Sequence, residues 1–149
     1  MIDRLVAELG LTPHPEGGFF RETYRAGATL PGTNRSVSTA ILYLLGAGQR
    51  SKLHRIDADE VWHFYRGGPL EVIELTAAGA RITTLSVEHP QHVVSAGTWF
   101  GSRPAPGTEY ALVGCTVAPG FEFAHFELGT RAALTSEFPN ARDVIKALT

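Results

Sequence analysis

Between two short helical segments, this chain is written in brief runs of β-branched and aromatic residues, each closed by glycine or proline, and that rhythm restricts the fold more than any other feature. The runs are Phe19 to Arg25, Val37 to Leu45, Lys52 to Arg55, Glu60 to Arg66, Leu70 to Leu75, Ala80 to Ser86, Val93 to Ser95, Thr98 to Ser102, Tyr110 to Val117 and Phe121 to Leu128. Gly17-Gly18, Pro31-Gly32, Gly67-Gly68-Pro69, Pro104-Ala-Pro106-Gly107 and Pro119-Gly120 punctuate them as turns. Many short strands with little helix predict an all-β fold, an antiparallel sandwich or a closed barrel. At the N-terminus Ile2, Leu5, Val6 and Leu9 recur at helical spacing before Gly10, which predicts a short amphipathic helix. A second helix is expected at the C-terminus, where Pro139-Asn140 precedes Val144, Ile145 and Leu148. With 149 residues and no repeat or linker, the chain reads as one domain over 1–149.

Composition narrows the function classes. Hydrophobic residues make up 44% and charged residues 19%, an ordinary globular balance. The formal net charge of -2 lacks the positive field that phosphate backbones require, so no nucleic-acid partner is expected. The longest apolar run, Ala40 to Gly48, falls well short of the roughly 18 residues a membrane helix needs, so no membrane partner is expected either. Asp3, Arg4 and Glu8 stand where a secretory leader would be continuously apolar, which predicts a cytoplasmic protein. Cys115 is the sole cysteine, and its neighbours Leu112, Val113 and Val117 predict a buried, unreactive thiol.

The segment Gly48-Gln-Arg-Ser-Lys-Leu-His54-Arg-Ile-Asp-Ala-Asp-Glu60-Val-Trp-His63-Phe-Tyr-Arg-Gly67 concentrates the chemistry. His54 and Glu60 offer an imidazole nitrogen and a carboxylate from neighbouring strands, a pairing suited to first-row divalent metals. The glycines, His54 and Glu60 resemble the first cupin motif, in which a small β-barrel presents metal ligands to its interior. That motif carries a second histidine where this chain has Ile56, and the second motif a Pro-x-Gly turn and a histidine where this chain has Ser95-Ala-Gly97 and Phe100. A divalent metal on His54 and Glu60 therefore requires a further ligand that the sequence does not reveal, because a catalytic zinc takes three protein ligands. Without a metal, the same two residues can act as catalytic acid and base, with Glu60 walled by Trp62 and Phe64 and its pKa raised by desolvation. The alternative is that a buried His-Glu pair only satisfies its own hydrogen bonds and holds two strands in register.

Further residues are candidates for binding a ligand. Period-two alternation places Glu60, Trp62 and Phe64 on one face and Val61, His63 and Tyr65 on the other, so His63 enters a pocket only through a bulge. In Pro13-His-Pro-Glu-Gly-Gly-Phe-Phe-Arg21, glycines free the backbone to turn and Arg21 presents a planar fork suited to an anionic substituent, or to an ion pair with Glu22 or Glu60. His14 and Glu16 read as surface residues of that turn. Trp99, Phe100 and Tyr110 are candidate walls of the pocket, with core packing as the other reading for the aromatic rings. His125 reads as a core or interface histidine on a strand, and His89 and His92 as exposed loop residues.

Taken together, Pro13 to Tyr24, Ser38-Thr-Ala40, Leu53-His-Arg55, Asp59 to Tyr65, Pro69-Leu-Glu71, Ala96-Gly-Thr-Trp99 and Tyr110 to Phe121 resemble one small single-domain cupin family of uncharacterised function. The resemblance implies a double-stranded β-helix, the cupin jelly roll, that pairs as a homodimer, and it maps His54 and Glu60 onto the pocket positions. Members are similar in fold to deoxysugar epimerases, which implies a sugar isomerase or epimerase role. Ser95 departs from the family's usual proline and Phe100 from its usual glutamine. The expectation is a barrel that binds a small polar metabolite, plausibly a sugar derivative, and isomerises or epimerises it with His54 and Glu60, Arg21 anchoring an anionic group. Its rivals are a non-catalytic binding module and a metal-dependent enzyme.

Overall fold

The computed structural model describes residues 1–149, and its strands form two antiparallel sheets that face each other. Helix α1 spans Ile2–Leu9, followed by β1 (Thr12–Pro13), β2 (Phe19–Arg25), β3 (Thr39–Gly46), β4 (Ser51–Ile56), β5 (Asp59–Gly67), β6 (Leu70–Thr76), β7 (Gly79–Leu85), β8 (Gln91–Val94), β9 (Phe100–Pro104), β10 (Tyr110–Ala118) and β11 (Phe126–Leu128). The chain ends in α2 (Arg131–Glu137) and α3 (Arg142–Ala147). One sheet has the order β1-β2-β3-β10-β5-β8 and the other β11-β4-β9-β6-β7. Successive strands cross between the sheets, as in a double-stranded β-helix, with short helices at both ends of the chain. No helix is long and apolar enough to cross a membrane.

Alternation along the strands separates an inner face from an outer one. Tyr43, Leu45, Trp62, Leu70, Val72, Leu85, Val94, Phe100, Ala111, Val113 and Cys115 pack between the sheets as the main core. Trp62 meets Tyr43 and Phe100 edge to face, at centroid separations of 6.1 and 6.0 Å. Each fully buried aliphatic chain here stabilises the fold by about 1.5–3 kcal/mol. On the outer side of the second sheet, Leu134 of α2 and Ile145 of α3 cover Leu53, Ile73, Leu75 and Trp99. Helix α1 lays Leu5 over Leu44 and Leu112 of the first sheet and ends on Gly10 in the left-handed conformation.

Most strands begin and end within a few residues of the sequence expectation, and the exceptions have local causes. Phe121 to Leu128 is not one strand: Phe123–His125 makes a short 3-10 turn and only Phe126–Leu128 pairs with β4. His125 is consequently exposed, against Asp57 at 3.1 Å, and is not a core residue. Helix α2 is additional, capped by the Thr130 hydroxyl accepting from the Ala133 N–H, and it buries only Leu134, too few apolar positions to show a period. His92 lies on β8, half-buried, with Nε2 2.9 Å from the buried Glu74 carboxylate.

The segment between β1 and β2 folds across one end of the barrel. Its backbone turns on bonds from His14 N–H to Gly18 O and from Gly17 N–H to His14 O, both 3.0 Å. Lys52 N–H donates to Glu16 O at 2.9 Å and the Tyr43 hydroxyl to Gly17 O at 2.6 Å, docking the turn onto β4 and β3. Gly17 has φ 115°, and a Cβ there would collide with the Arg50 carbonyl oxygen. Gly17→Ala is therefore expected to destabilise the protein by about 2–4 kcal/mol, measured by chemical denaturation, whereas Gly32→Ala, with open space around it, should incur only the backbone strain of about 1–3 kcal/mol or less.

Candidate functional site

A cavity of about 650 Å³, counting its open mouth, occupies the end of the barrel that the aromatic core leaves unfilled. His54 reaches it from β4, Glu60 from the start of β5, Cys115 and Val117 from β10, and His14 and Glu16 from the turn across the barrel end. Phe20, Ile41, Ile56, Phe121 and Phe123 supply apolar wall.

His54 and Glu60 thus open onto one enclosed space, and a third group stands between the sequence reading and the observed site. Glu16 is not a surface residue. Its side chain is 8% exposed, with Oε2 3.0 Å from His54 Nδ1. The His54 Nδ1 also lies 2.7 Å from the Lys52 carbonyl oxygen, and an acceptor at that distance places the proton on Nδ1. Nε2 is left as the basic nitrogen of a ring sandwiched between Phe100, 4.3 Å away, and Phe126, stacked at 5.3 Å. His14 is likewise buried, its Nδ1 accepting from the Glu16 N–H at 3.1 Å and its ring edge-on to Phe20 at 4.5 Å. The proline-rich turn looked like surface because charged and proline residues usually are. The one available signal was Gly17-Gly18, whose freedom lets the chain dive inward at that point.

Burial controls the proton affinities. Desolvation pushes the Glu16 carboxyl up to about 8, against the pull of neighbouring Ser51 and Tyr43 hydroxyls. Glu60 is raised to about 7, again chiefly by desolvation, with His54 opposing and the nearby Glu16 adding to the rise. Burial draws His54 down, against the attraction of Glu60, and draws His14 down to about 4, with His54 contributing. The Cys115 thiol is pushed well above its usual range by burial and by Glu60, so it stays protonated beside that carboxyl. Near neutral pH the site therefore holds a neutral imidazole with a free nitrogen and a carboxyl poised to give or take a proton.

The other sequence candidates do not line this cavity. Arg21 is exposed on the outer face, opposite Leu42 on β3, because alternation turns Phe20 and Glu22 inward. The cavity's arginine is Arg25: a bulge at Thr23 shifts the phase of β2 and brings to the mouth of the cavity a side chain that strict alternation would have sent to the outer face. Trp62 and Phe64 face inward as expected but belong to the core beneath the cavity, so they do not wall Glu60. His63 stays outside. The bulge in β5 falls at Tyr65, past His63, whose ring lies 3.1 Å from the Thr116 hydroxyl and parallel to Tyr65. Trp99 sits in the turn before β9, packed with α2 and α3 and covered by the Arg55 guanidinium at 4.5 Å. Phe100 is core that supports the His54 ring, and Tyr110 packs with the α1 cluster over Gly67.

A divalent metal on His54 and Glu60 needs a third donor, and no three His, Cys, Asp or Glu side chains are gathered closely enough to hold one. Glu16 lies on the Nδ1 side of His54, away from the nitrogen left for a ligand, and His14 uses Nδ1 as an acceptor, which leaves its proton on Nε2. The donor set does not fit a three-ligand metal site.

Two antiparallel sheets wound into a barrel, with an imidazole and carboxyls opening into one end, define a protein of the cupin fold. The chain belongs to the Cupin superfamily family DUF985, whose model matches residues 3–129. Over 99% of its length it is similar to a protein from Shewanella oneidensis, at 35% identity and a TM-score of 0.92 over 96% of that chain. A hypothetical protein from Leishmania major is similar at 29% identity, with a TM-score of 0.92 and 99% and 97% of the two chains covered. Oxalate decarboxylase from Bacillus subtilis shares the fold at 15% identity and a TM-score of 0.59, covering 92% of this chain and 36% of that one. Among curated proteins none matches the chain.

Glu16 and Glu60 hold protons more tightly folded than unfolded, so stability is greatest while both are protonated and falls as pH rises from the ordinary carboxyl range through about 7 and 8. His14, lowered to about 4, acts in the opposite sense and removes stability as pH falls from its unfolded value through that point. Wild type is expected to lose about 2 kcal/mol or more between about pH 5.5 and pH 8 in urea titrations, and a Glu16→Gln, Glu60→Gln double variant to show a much flatter dependence.

Proposed function

We propose that this cupin binds a small polar metabolite of the sugar class in the barrel cavity and catalyses metal-independent isomerisation or epimerisation next to a carbonyl. The observation that carries the reading is the buried His54, its Nδ1 held by Glu16 and the Lys52 carbonyl, facing the same cavity as Glu60. Nε2 of His54 takes the proton from the carbon next to the carbonyl, and Glu60, raised to about 7, gives or takes the second proton at the carbonyl oxygen. Glu16 is a positioning residue: its carboxyl, 3.0 Å from Nδ1, holds the ring together with the Lys52 carbonyl and leaves Nε2 free.

Incubation in D2O with a panel of small aldoses and ketoses tests this, with proton NMR reading deuterium incorporated at the carbon next to the carbonyl. Incorporation is expected with wild type and should fall by about 100-fold or more in His54→Ala and in Glu60→Gln. Incorporation unchanged in His54→Ala would defeat the proposal. So would a compound released from the unfolded protein that the native protein never alters, which would favour a binding module.

We further propose that the protein is a homodimer through the outer face of the six-stranded sheet. Strand registers align Tyr24, Ala40, Thr116, Val61 and Val93 in one row across five strands, with Tyr65 beside it. Tyr24, Tyr65 and Val93 are each more than half exposed there, and an apolar row of this kind is suited to a second copy. Size-exclusion chromatography with light scattering should give twice the monomer mass, and Val93→Arg the monomer mass.

A further inference from the structure

Resting on the reading of the cavity as a small-ligand site, we infer that its ligand carries a protonated amine that seats on one oxygen of Glu60, leaving the other oxygen to take a proton, and no carboxylate or phosphate. The cavity is lined by the carboxyl groups of Glu16, Glu22, Glu60 and Glu122, against a single permanent cation, Arg25. That cation is already committed. Its Nε donates to Glu22 Oε1 at 2.8 Å, and its Nη2 to Glu22 Oε2 and to the Phe121 carbonyl, both at 2.9 Å. A bidentate fork of this kind satisfies an arginine and leaves it little to offer an anion. An anionic substituent inside would be desolvated beside Glu16 and Glu60 with no free cation to hold it, and would pass Glu22 and Glu122 at the mouth, an arrangement that disfavours it.

Glu60 is the group that calls for a partner. Glu16 has His54, and Glu22 has Arg25. The Glu60 side chain opens into the cavity at 8% residue exposure and receives no N–H or hydroxyl hydrogen from any residue of the chain. Of the polar groups near it, His54 and Glu16 among them, the one within hydrogen-bonding reach is the Cys115 thiol, a weak donor. A desolvated carboxyl left so poorly paired is unfavourable, and an ammonium group would supply both the charge and the strong hydrogen bonds that are missing. The neighbouring rings of Phe20, Phe121 and Phe123 suit the hydrocarbon part of such a ligand and are tolerant of a cation at their faces.

Three probes of one shape, cyclohexylammonium, cyclohexanol and cyclohexanecarboxylate, separate charge from size, and none can undergo the proposed reaction. In NMR titrations near neutral pH the ammonium ion is expected to bind at least about tenfold more tightly than the alcohol, with the carboxylate weakest. Glu60→Gln should erase the advantage of the ammonium ion. Glu22→Gln, which releases the Arg25 guanidinium, should strengthen carboxylate binding several-fold. As a check that needs no variant, the Glu60 carboxyl carbon of wild type should move to its ionised shift when the ammonium ion is added. Equal binding of the three probes, no binding of the ammonium ion, or an ammonium preference that survives Glu60→Gln would overturn the inference. Deuterium incorporation into an amine-free sugar alongside a missing ammonium preference would overturn it while leaving the proton-transfer reading intact. An ammonium preference without deuterium incorporation into any amino sugar would support it and remove the reaction.

Discussion

The interlock of Trp62, Tyr43 and Phe100 between the two sheets is the constraint from which the rest follows. These rings and the aliphatic side chains around them fill part of the barrel to native density, which fixes the separation of the sheets. Because the sheets cannot close further, the end beyond Cys115 stays hollow. His54 and Glu60 then stand in a desolvated space that the fold holds open, and Phe100 beneath the imidazole carries the rigidity of the core directly to the site. The aromatic ring at this position supplies a floor for the histidine.

Charge in this cavity is set by burial more than by pairing. Two carboxyls enter it with little compensating cation, and the lowered proton affinity of His14 shows that the same environment disfavours positive charge on the protein's own groups. The result is a site poised for proton transfer near neutral pH, in which a small change in ligand charge shifts which groups are ionised. Arg25 and Glu22 at the rim hold each other in one ion pair.

The legible part of the site was the part written locally. His54 and Glu60 could be read as inward-facing from the spacing of the motif they share, although β4 is irregular between Ser51 and His54, and the helical spacing of Ile2, Leu5, Val6 and Leu9 sufficed for α1. Arg21 was misread for the opposite reason. Alternation correctly separates it from Phe20 and Glu22, but nothing in Arg21-Glu-Thr-Tyr-Arg25 marks Thr23 as the residue at which the register slips. Trp99 and Tyr110 were candidates for the pocket because large rings suit either a wall or a core. Only the placement of α1, α2 and α3 on the outer faces decides for the core.

The sequence alone determined the strand-rich fold, the two terminal helical regions and the family, and it marked out His54 and Glu60, because each of these depends on period, turn chemistry or near neighbours along the chain. The tertiary structure alone decided that Glu16 belongs to the site, that Arg25 and not Arg21 lines it, and that no third metal donor joins His54 and Glu60. The physical reason is one of range. A bulge advances a strand by a single residue and a docked turn places one carboxyl against an imidazole, and both are fixed by contacts between segments far apart in the chain, to which local periodicity is blind.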